Sequence, residues 1–237
     1  MNAKTQKNNL ETLGLTLMLD SSSTPLTAAL FSDGKMYGAS KDGIKQEELL
    51  FPLLKRLYKR AGKELKQTKN FFFIKGPGRF TGIRIGVTLA SVLSEINGTN
   101  IASADIFNVL GPAVLDSTDF KKWQAKNPSG KAVIILPAFR EEYFVSTVGE
   151  NAPKWLNIDA LNKELAAQKT PLFLAGWAGA KEPLKKHFGK NFTYSKTNFL
   201  TPEMLLSAAK KYLGTQTKEE TLTPLYLKPA RFELCGK

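Results

Sequence analysis

Histidine and cysteine are almost missing from this chain, with one of each in 237 residues: His187 in LKKHFGKN and Cys235 two residues from the end. A single thiol allows no intramolecular disulfide, which points to a reducing compartment. A zinc site of the usual kind needs three or four His/Cys ligands, and these two residues cannot supply them. Ser/His and Cys/His nucleophile pairs would have to use His187 or Cys235, and neither sits in a recognisable motif. Most hydrolase chemistry therefore lacks its side chains, and no catalytic residue, metal or cofactor is assigned; an all-oxygen magnesium site stays open. Long apolar runs are missing as well. No stretch reaches the roughly 20 residues that span a bilayer, and the opening MNAKTQKNNLETLG lacks the apolar centre of a secretion signal. A cytoplasmic protein without membrane contact is the expectation.

What is present suits a folded chain: 42% hydrophobic and 23% charged residues, enough to bury a core as one large domain or two modest lobes. The net charge of +13 comes from 34 Lys and Arg against 21 Asp and Glu and favours nearness to a polyanion such as RNA. The excess is spread over both halves, with no Lys/Arg block and no alternation of basic and aromatic residues. That pattern fits a general electrostatic contribution better than a dedicated RNA-reading module.

Along the chain, Leu13 to Leu19 reads as an apolar strand ending at Asp20 and a turn of Ser21, Ser22, Ser23 and Thr24. Leu26 to Phe31 and Met36 to Ala39 form a hairpin about Ser32-Asp33-Gly34-Lys35. Gln46 to Ala61 is an amphipathic helix, with Leu49, Leu50, Leu53, Leu54 and Leu57 on one side and Lys55, Arg56, Lys59 and Arg60 on the other. Pro52 fits it cheaply only in the first turn. Asn70 to Ile74, with three consecutive phenylalanines, is apolar on both faces, as a covered central strand would be. A loop, a second helix ending at Asn97-Gly98 and a strand from Ile101 complete the first half. Beyond residue 110, strands are expected at Lys131–Leu136, Tyr143–Val148 and Leu172–Leu174. Helices are expected near Asp159–Gln168 and Lys181–His187, and from Thr201-Pro202-Glu203 to Tyr212, with surface loop over Asp116–Asn127.

The most informative stretch is GPGRFTGIRIG, Gly76 to Gly86. It is neither a Walker loop nor G-x-G-x-x-G, so its glycines do not establish nucleotide chemistry. Gly76 and Gly78 can form a tight strand-to-helix turn, with Thr81 capping the helix. Within that helix Gly82, Gly86, Ala90 and Ser94 recur every four residues and form a stripe of small side chains. Leu89, Val92, Leu93 and Ile96, with Ile85, are expected to cover a separate bulky face. A smooth stripe admits close packing either by a neighbour within the lobe or by a foreign helix, and the residues alone leave both open.

Taken together, LDSSST, QEELLFPLL, GPGRFTGIRIG and the late PLYLK resemble the TsaB (YeaZ) family from end to end of the chain. The positions that carry the resemblance are Asp20 and Ser22; Glu48, Leu50 and Pro52; Gly76 to Gly86 apart from Arg79 and Ile83; and Pro224 to Leu227. Gln46 stands where many relatives have His, Arg79 replaces a small Ser, and Pro137-Ala138-Phe139-Arg140 departs from Asp-Ala-Arg. The resemblance implies an α/β, two-lobed actin/sugar-kinase-like (ASKHA) fold, with a ribonuclease H-like first lobe over 13–110 and a second, degenerate lobe over 111–237. It implies a non-catalytic subunit that binds TsaD, acts with TsaE and with tRNA in the complex, supports threonylcarbamoylation of adenosine 37 in tRNAs reading A-starting codons, and can form a homodimer through the same surface. The implied partner-binding set is Leu49, Leu50, Leu53, Leu57, Thr81, Gly82, Ile83, Gly86 and Ala90, and the implied nucleotide cleft is Asp20, Ser22, Gly76 and Gly78. Competing readings are an ATP-dependent phosphotransferase using Asp20, a glycoprotease and an independent tRNA-binding protein.

Overall fold

The structure, a computed structural model, describes residues 13–43, 45–150, 152–177, 180, 181, 184, 194–196 and 199–228. His187, Cys235 and most of the expected helix Lys181–His187 lie outside the described residues.

The chain divides into two compact units, residues 1–109 with 200–225 and residues 110–199 with 226–237. The first holds β1 (Thr16–Asp20), β2 (Leu26–Ser32), β3 (Lys35–Lys41), β4 (Asn70–Ile74) and β5 (Asn100–Ala104) in a five-stranded sheet of order β3-β2-β1-β4-β5. Neighbours are antiparallel through β1, β2 and β3, and parallel from β1 to β4 and β5. Two helices lie against one face: α1 (Gln46–Ala61) and α2 (Phe80–Asn97). Alternation across the strands sends Leu17, Leu19, Phe71 and Phe73 into the cluster beneath them. Phe72 points the other way and stacks on Tyr212 at 6.4 Å. Both faces of β4 are thus covered, which is why three phenylalanines run together there, each with 0% exposure. Each such ring contributes about 1.5–3 kcal/mol of hydrophobic stabilisation.

Helix α1 follows its apolar periodicity and ends on Gly62, whose φ of 64° closes the left-handed cap onto the Tyr58 and Lys59 carbonyls. Pro52 lies beyond the first turn, inside the helix, where its ring removes one ladder hydrogen bond. Thr81 does not cap α2 as expected: the N-cap is Arg79, whose side chain makes no capping hydrogen bond.

The second unit repeats the topology. The strands β6 (Lys131–Pro137), β7 (Glu142–Thr147), β8 (Lys154–Asn157), β9 (Leu172–Gly176) and β10 (Tyr194–Lys196) lie in the order β10-β9-β6-β7-β8. Read from β8, this is the first sheet's order with the same directions: β6/β7 and β7/β8 antiparallel, β6/β9 and β9/β10 parallel. Between its third and fourth strands, as in the first unit, runs a helix, here α5 (Ile158–Ala166), capped by the Asn157 side chain. Preceding the sheet are α3 (Ile106–Asp116), within which the units divide, and α4 (Thr118–Gln124). The latter replaces the loop expected over Asp116–Asn127: Ser117 caps it, and Phe120 and Trp123 pack on Phe173 of β9.

The expected boundaries need one correction, because residues 200–225 belong to the first unit rather than the second. Helix α6 (Pro202–Tyr212) covers the sheet face opposite α1 and α2. The short α7 (Lys218–Leu222) follows, and the Gln216 side chain exchanges two 2.9 Å hydrogen bonds with the Ser103 backbone along the free edge of β5. Ser103 Oγ donates to the Thr221 carbonyl and Leu225 N to the Lys75 carbonyl. These bonds protect an edge that would otherwise present unpaired backbone groups.

Candidate functional site

The motif residues of the first unit converge where β1 and β4 end. Asp20, the last residue of β1, is fully buried and accepts from Ser22 N at 2.9 Å, from Ser22 Oγ at 2.7 Å and from Ser23 Oγ. Burial pushes the Asp20 carboxyl above the usual carboxylate range, and the serine hydrogen bonds pull it back only in part. The serine turn is tied to the glycine segment: Arg79 N donates to the Ser22 carbonyl at 2.7 Å and Ser21 Oγ to the Gly82 carbonyl at 2.7 Å. Gln46, at the start of α1, donates to the Ser23 carbonyl, and Arg79 Nη1 reaches Thr24 Oγ1 at 3.2 Å.

This closure explains the glycines. A Cβ on Gly82 would stand 1.7 Å from the Ser21 carbonyl oxygen, and one on Gly78 2.3 Å from that of Ser22. Gly76, at φ 119°, faces the Leu225 carbonyl in the same way. The four cleft residues are therefore split: Asp20, Ser22 and Gly78 come together, while Gly76 is packed on the returning chain. The Ser21 and Ser22 carbonyls take the space that a side chain on Gly82 or Gly78 would need. Among the described residues no three or more His, Cys, Asp or Glu side chains gather where they could hold a metal ion.

Most of the expected partner-binding set lies inside the unit. Gly82, Ile83, Gly86 and Ala90 are buried, and a Cβ on Gly86 would meet the Phe73 ring at 3.0 Å. Leu50, Leu53 and Leu57 belong to the core of the unit and Leu49 packs half-buried against it. Thr81 alone is exposed. The small stripe faces inward, where it lets α2 come close to the serine turn and β4. The bulky residues divide likewise: Leu89 and Leu93 are buried beside the glycines, whereas Val92 and Ile96 are 44% and 76% exposed. Phe51 on α1, 62% exposed, and Phe80 at the start of α2, 49% exposed, are further large apolar groups that the two helices present to solvent. The sequence signal was helical phase: Leu89 and Leu93 stand three residues from Gly86 and Ala90, on the same side of a helix.

In the second unit the corresponding β6–β7 turn is open. Phe139 is 51% exposed, and Arg140 holds φ 55°, an uncommon value for a residue with a side chain. The Arg140 guanidinium lies 5.2 Å from the Phe139 ring centre. Lys228 Nζ lies 5.4 Å from that ring and 5.6 Å from Trp155, and pairs with Glu142.

No protein-family model matches the chain. Among curated proteins it is 32% identical over 111 residues to the tRNA threonylcarbamoyladenosine biosynthesis protein TsaB of Buchnera aphidicola subsp. Schizaphis graminum, a match over 46% of this chain and only 50% of that relative's length. To the TsaB of Buchnera aphidicola subsp. Baizongia pistaciae it is 23% identical over 218 residues, covering 89% of this chain and 96% of the relative. Among solved structures, a Pseudomonas aeruginosa protein described as similar to peptidase YeaZ superposes with a TM-score of 0.68 at 18% identity, over 91% of this chain and all of that one. YeaZ from the same organism gives 0.63 at 19% identity, over 90% of this chain and all of that one. Two sheets of one strand order in tandem, the first carrying an aspartate and a serine turn at the end of its first strand, define the actin/sugar-kinase-like class. Within that class the chain is similar over nearly its whole length to the TsaB (YeaZ) proteins.

Proposed function

We propose that this protein is a non-catalytic subunit in tRNA threonylcarbamoyladenosine synthesis that binds the catalytic subunit TsaD, with TsaE and tRNA joining the same complex. The names of its relatives support the pathway. The observation that carries the binding role is the outward face of α1 and α2, where Phe51, Val92 and Ile96 stay exposed although the unit has a full core. Val92 and Ile96 stand one turn apart on α2, and exposed apolar side chains placed together mark interaction surfaces. Docking thus uses the side of these helices opposite the glycines, with Thr81 the shared residue of the two descriptions.

The rival phosphotransferase needs Asp20 to orient a magnesium ion beside a phosphate. Asp20 instead spends its oxygens on Ser22 and Ser23 and has no solvent-exposed surface. The test is co-purification with TsaD of the wild type and of Val92→Glu with Ile96→Glu, each checked for folding by circular dichroism. The double variant is expected to fold and to lose TsaD; retention at the wild-type level would overturn the proposal. A large residue at Gly86 tests nothing of this kind, because it would strike Phe73 within the unit.

A further inference from the structure

The β6–β7 turn of the second unit is not used by the docking role, yet it is built with some care. Its hairpin is closed by Ala138 N donating to the Glu142 carbonyl and Glu142 N to the Phe139 carbonyl at 3.2 Å. Between them Arg140 is held in the left-handed region, which a side chain adopts only when its surroundings require it. Lys228 sits between the Phe139 and Trp155 rings with its charge taken by Glu142. The Phe139 ring is thereby fixed from one flank while half of its surface stays in solvent. Arg140, exposed at the tip, has no acidic partner among the described residues. An exposed aromatic ring with a guanidinium over it, that cation having no carboxylate partner among the described residues, matches one nucleotide of a single strand: the base stacks on the exposed plane and the phosphate meets the guanidinium edge.

From this we infer that Phe139 and Arg140 form a stacking platform for an unpaired base of RNA. The inference rests on the proposed place of the protein in a tRNA-modifying complex for its choice of nucleic acid. The local charge decides what kind of contact this is. Arg140 and Lys228 are balanced by Glu141 and Glu142, so the turn offers no net electrostatic attraction to a duplex backbone. Long-range attraction comes from the +13 charge of the whole chain, and the turn supplies base contact rather than phosphate count. An acidic protein segment would use the cation but leave the ring without a partner.

The test measures binding of the full chain to an RNA hairpin carrying a fluorescent purine in its single-stranded loop, and to the same stem closed as a continuous duplex. The hairpin is expected to bind at least tenfold more tightly than the duplex, with quenching of the loop purine. Phe139→Ala is expected to weaken hairpin binding about tenfold with an unchanged dependence on salt, and Phe139→Trp to retain it. Arg140→Gly, which the backbone accepts readily, should weaken binding and lower the salt slope by about one. Equal binding of hairpin and duplex, no hairpin binding, or wild-type affinity in both Phe139→Ala and Arg140→Gly would each overturn the inference. Loss of binding only in Lys55→Gln with Lys59→Gln, on the basic side of α1, would overturn it too. Phe139→Ala should still co-purify with TsaD, so failure here is distinguishable from failure of the docking role.

Discussion

The two units share one strand order but treat the loop after their first strand in opposite ways. In the first, Asp20 to Thr24 folds inward: the carboxylate is consumed by Ser22 and Ser23, and α2 presses on the turn through glycines that leave no room for a side chain. In the second, Pro137 to Glu142 stands open, with an exposed ring and a guanidinium at its tip. The contrast teaches that a shared topology fixes where a loop lies and says nothing about whether it is filled or offered.

The contrast breaks most sharply at Gly82. Its missing Cβ would lie 1.7 Å from the Ser21 carbonyl oxygen, a backbone atom that cannot swing aside. Gly82→Ala is expected to cost about 3 kcal/mol or more, or to prevent folding, when followed by urea denaturation. Gly111 in α3 of the second unit offers a contrast: there a Cβ would meet only the Val148 methyls, the nearer at 3.2 Å. Gly111→Ala is expected to stay within about 1 kcal/mol of wild type, because helix propensity offsets the mild crowding. Equal costs at the two sites would remove the distinction between a crowded and a roomy glycine.

Much of this was legible in the residues. The three-phenylalanine run identifies β4 as covered on both faces, the leucine spacing gives α1, and the order of elements gives the first sheet. Two things were not legible. Whether the stripe of Gly82, Gly86 and Ala90 faces inward depends on what occupies the space beside it, here the Ser21 carbonyl and the Phe73 ring, and both are remote in sequence. The return of residues 200–225 to the first sheet is likewise a long-range matter, since Gln216 meets Ser103 across more than a hundred residues. Local pattern shows that a helix is amphipathic and cannot say which sheet it will cover. For α2, helical phase puts Leu89 and Leu93 with the glycines and leaves Val92 and Ile96 outside.

A smaller effect is expected at Asp20, and it separates structure from catalysis. Asp20→Ala leaves the Ser22 and Ser23 hydroxyls without their buried acceptor and should cost about 2–3 kcal/mol. Asp20→Asn keeps an acceptor and removes a charge that burial disfavours, so at neutral pH it should fall within about 1 kcal/mol of wild type. The sign of the pH effect follows from the raised folded pKa. The folded state binds the proton more tightly than the unfolded state, so the Asp20 contribution is fully present below the unfolded value of about 3.9 and is lost as pH rises through the folded value. The stability of wild type minus that of Asp20→Asn should therefore decline across that window and level off above it. A difference that grows with pH would mean the serine bonds outweigh burial. An isolated chain that turned over ATP, and lost that activity in Asp20→Asn, would return the phosphotransferase to favour.

The smallest expected effect has the opposite sign and belongs to the open unit. Arg140 holds φ 55° at the turn, where glycine would sit without steric cost. Its guanidinium gains only an exposed contact with Phe139 at 5.2 Å, a stabilisation of about 0.5–1 kcal/mol at most for such sites. Glycine would relieve the left-handed strain of about 1 kcal/mol or more but would widen the unfolded ensemble. These terms nearly cancel, so Arg140→Gly should move stability by less than about 1 kcal/mol, with a shift toward greater stability if strain dominates. Arg140→Ala loses the same contact without relieving the backbone, and it isolates the strain by difference. If Arg140→Gly proves no more stable than Arg140→Ala in urea titrations, the turn is not strained, and the case that its backbone is held for the sake of an exposed side chain fails.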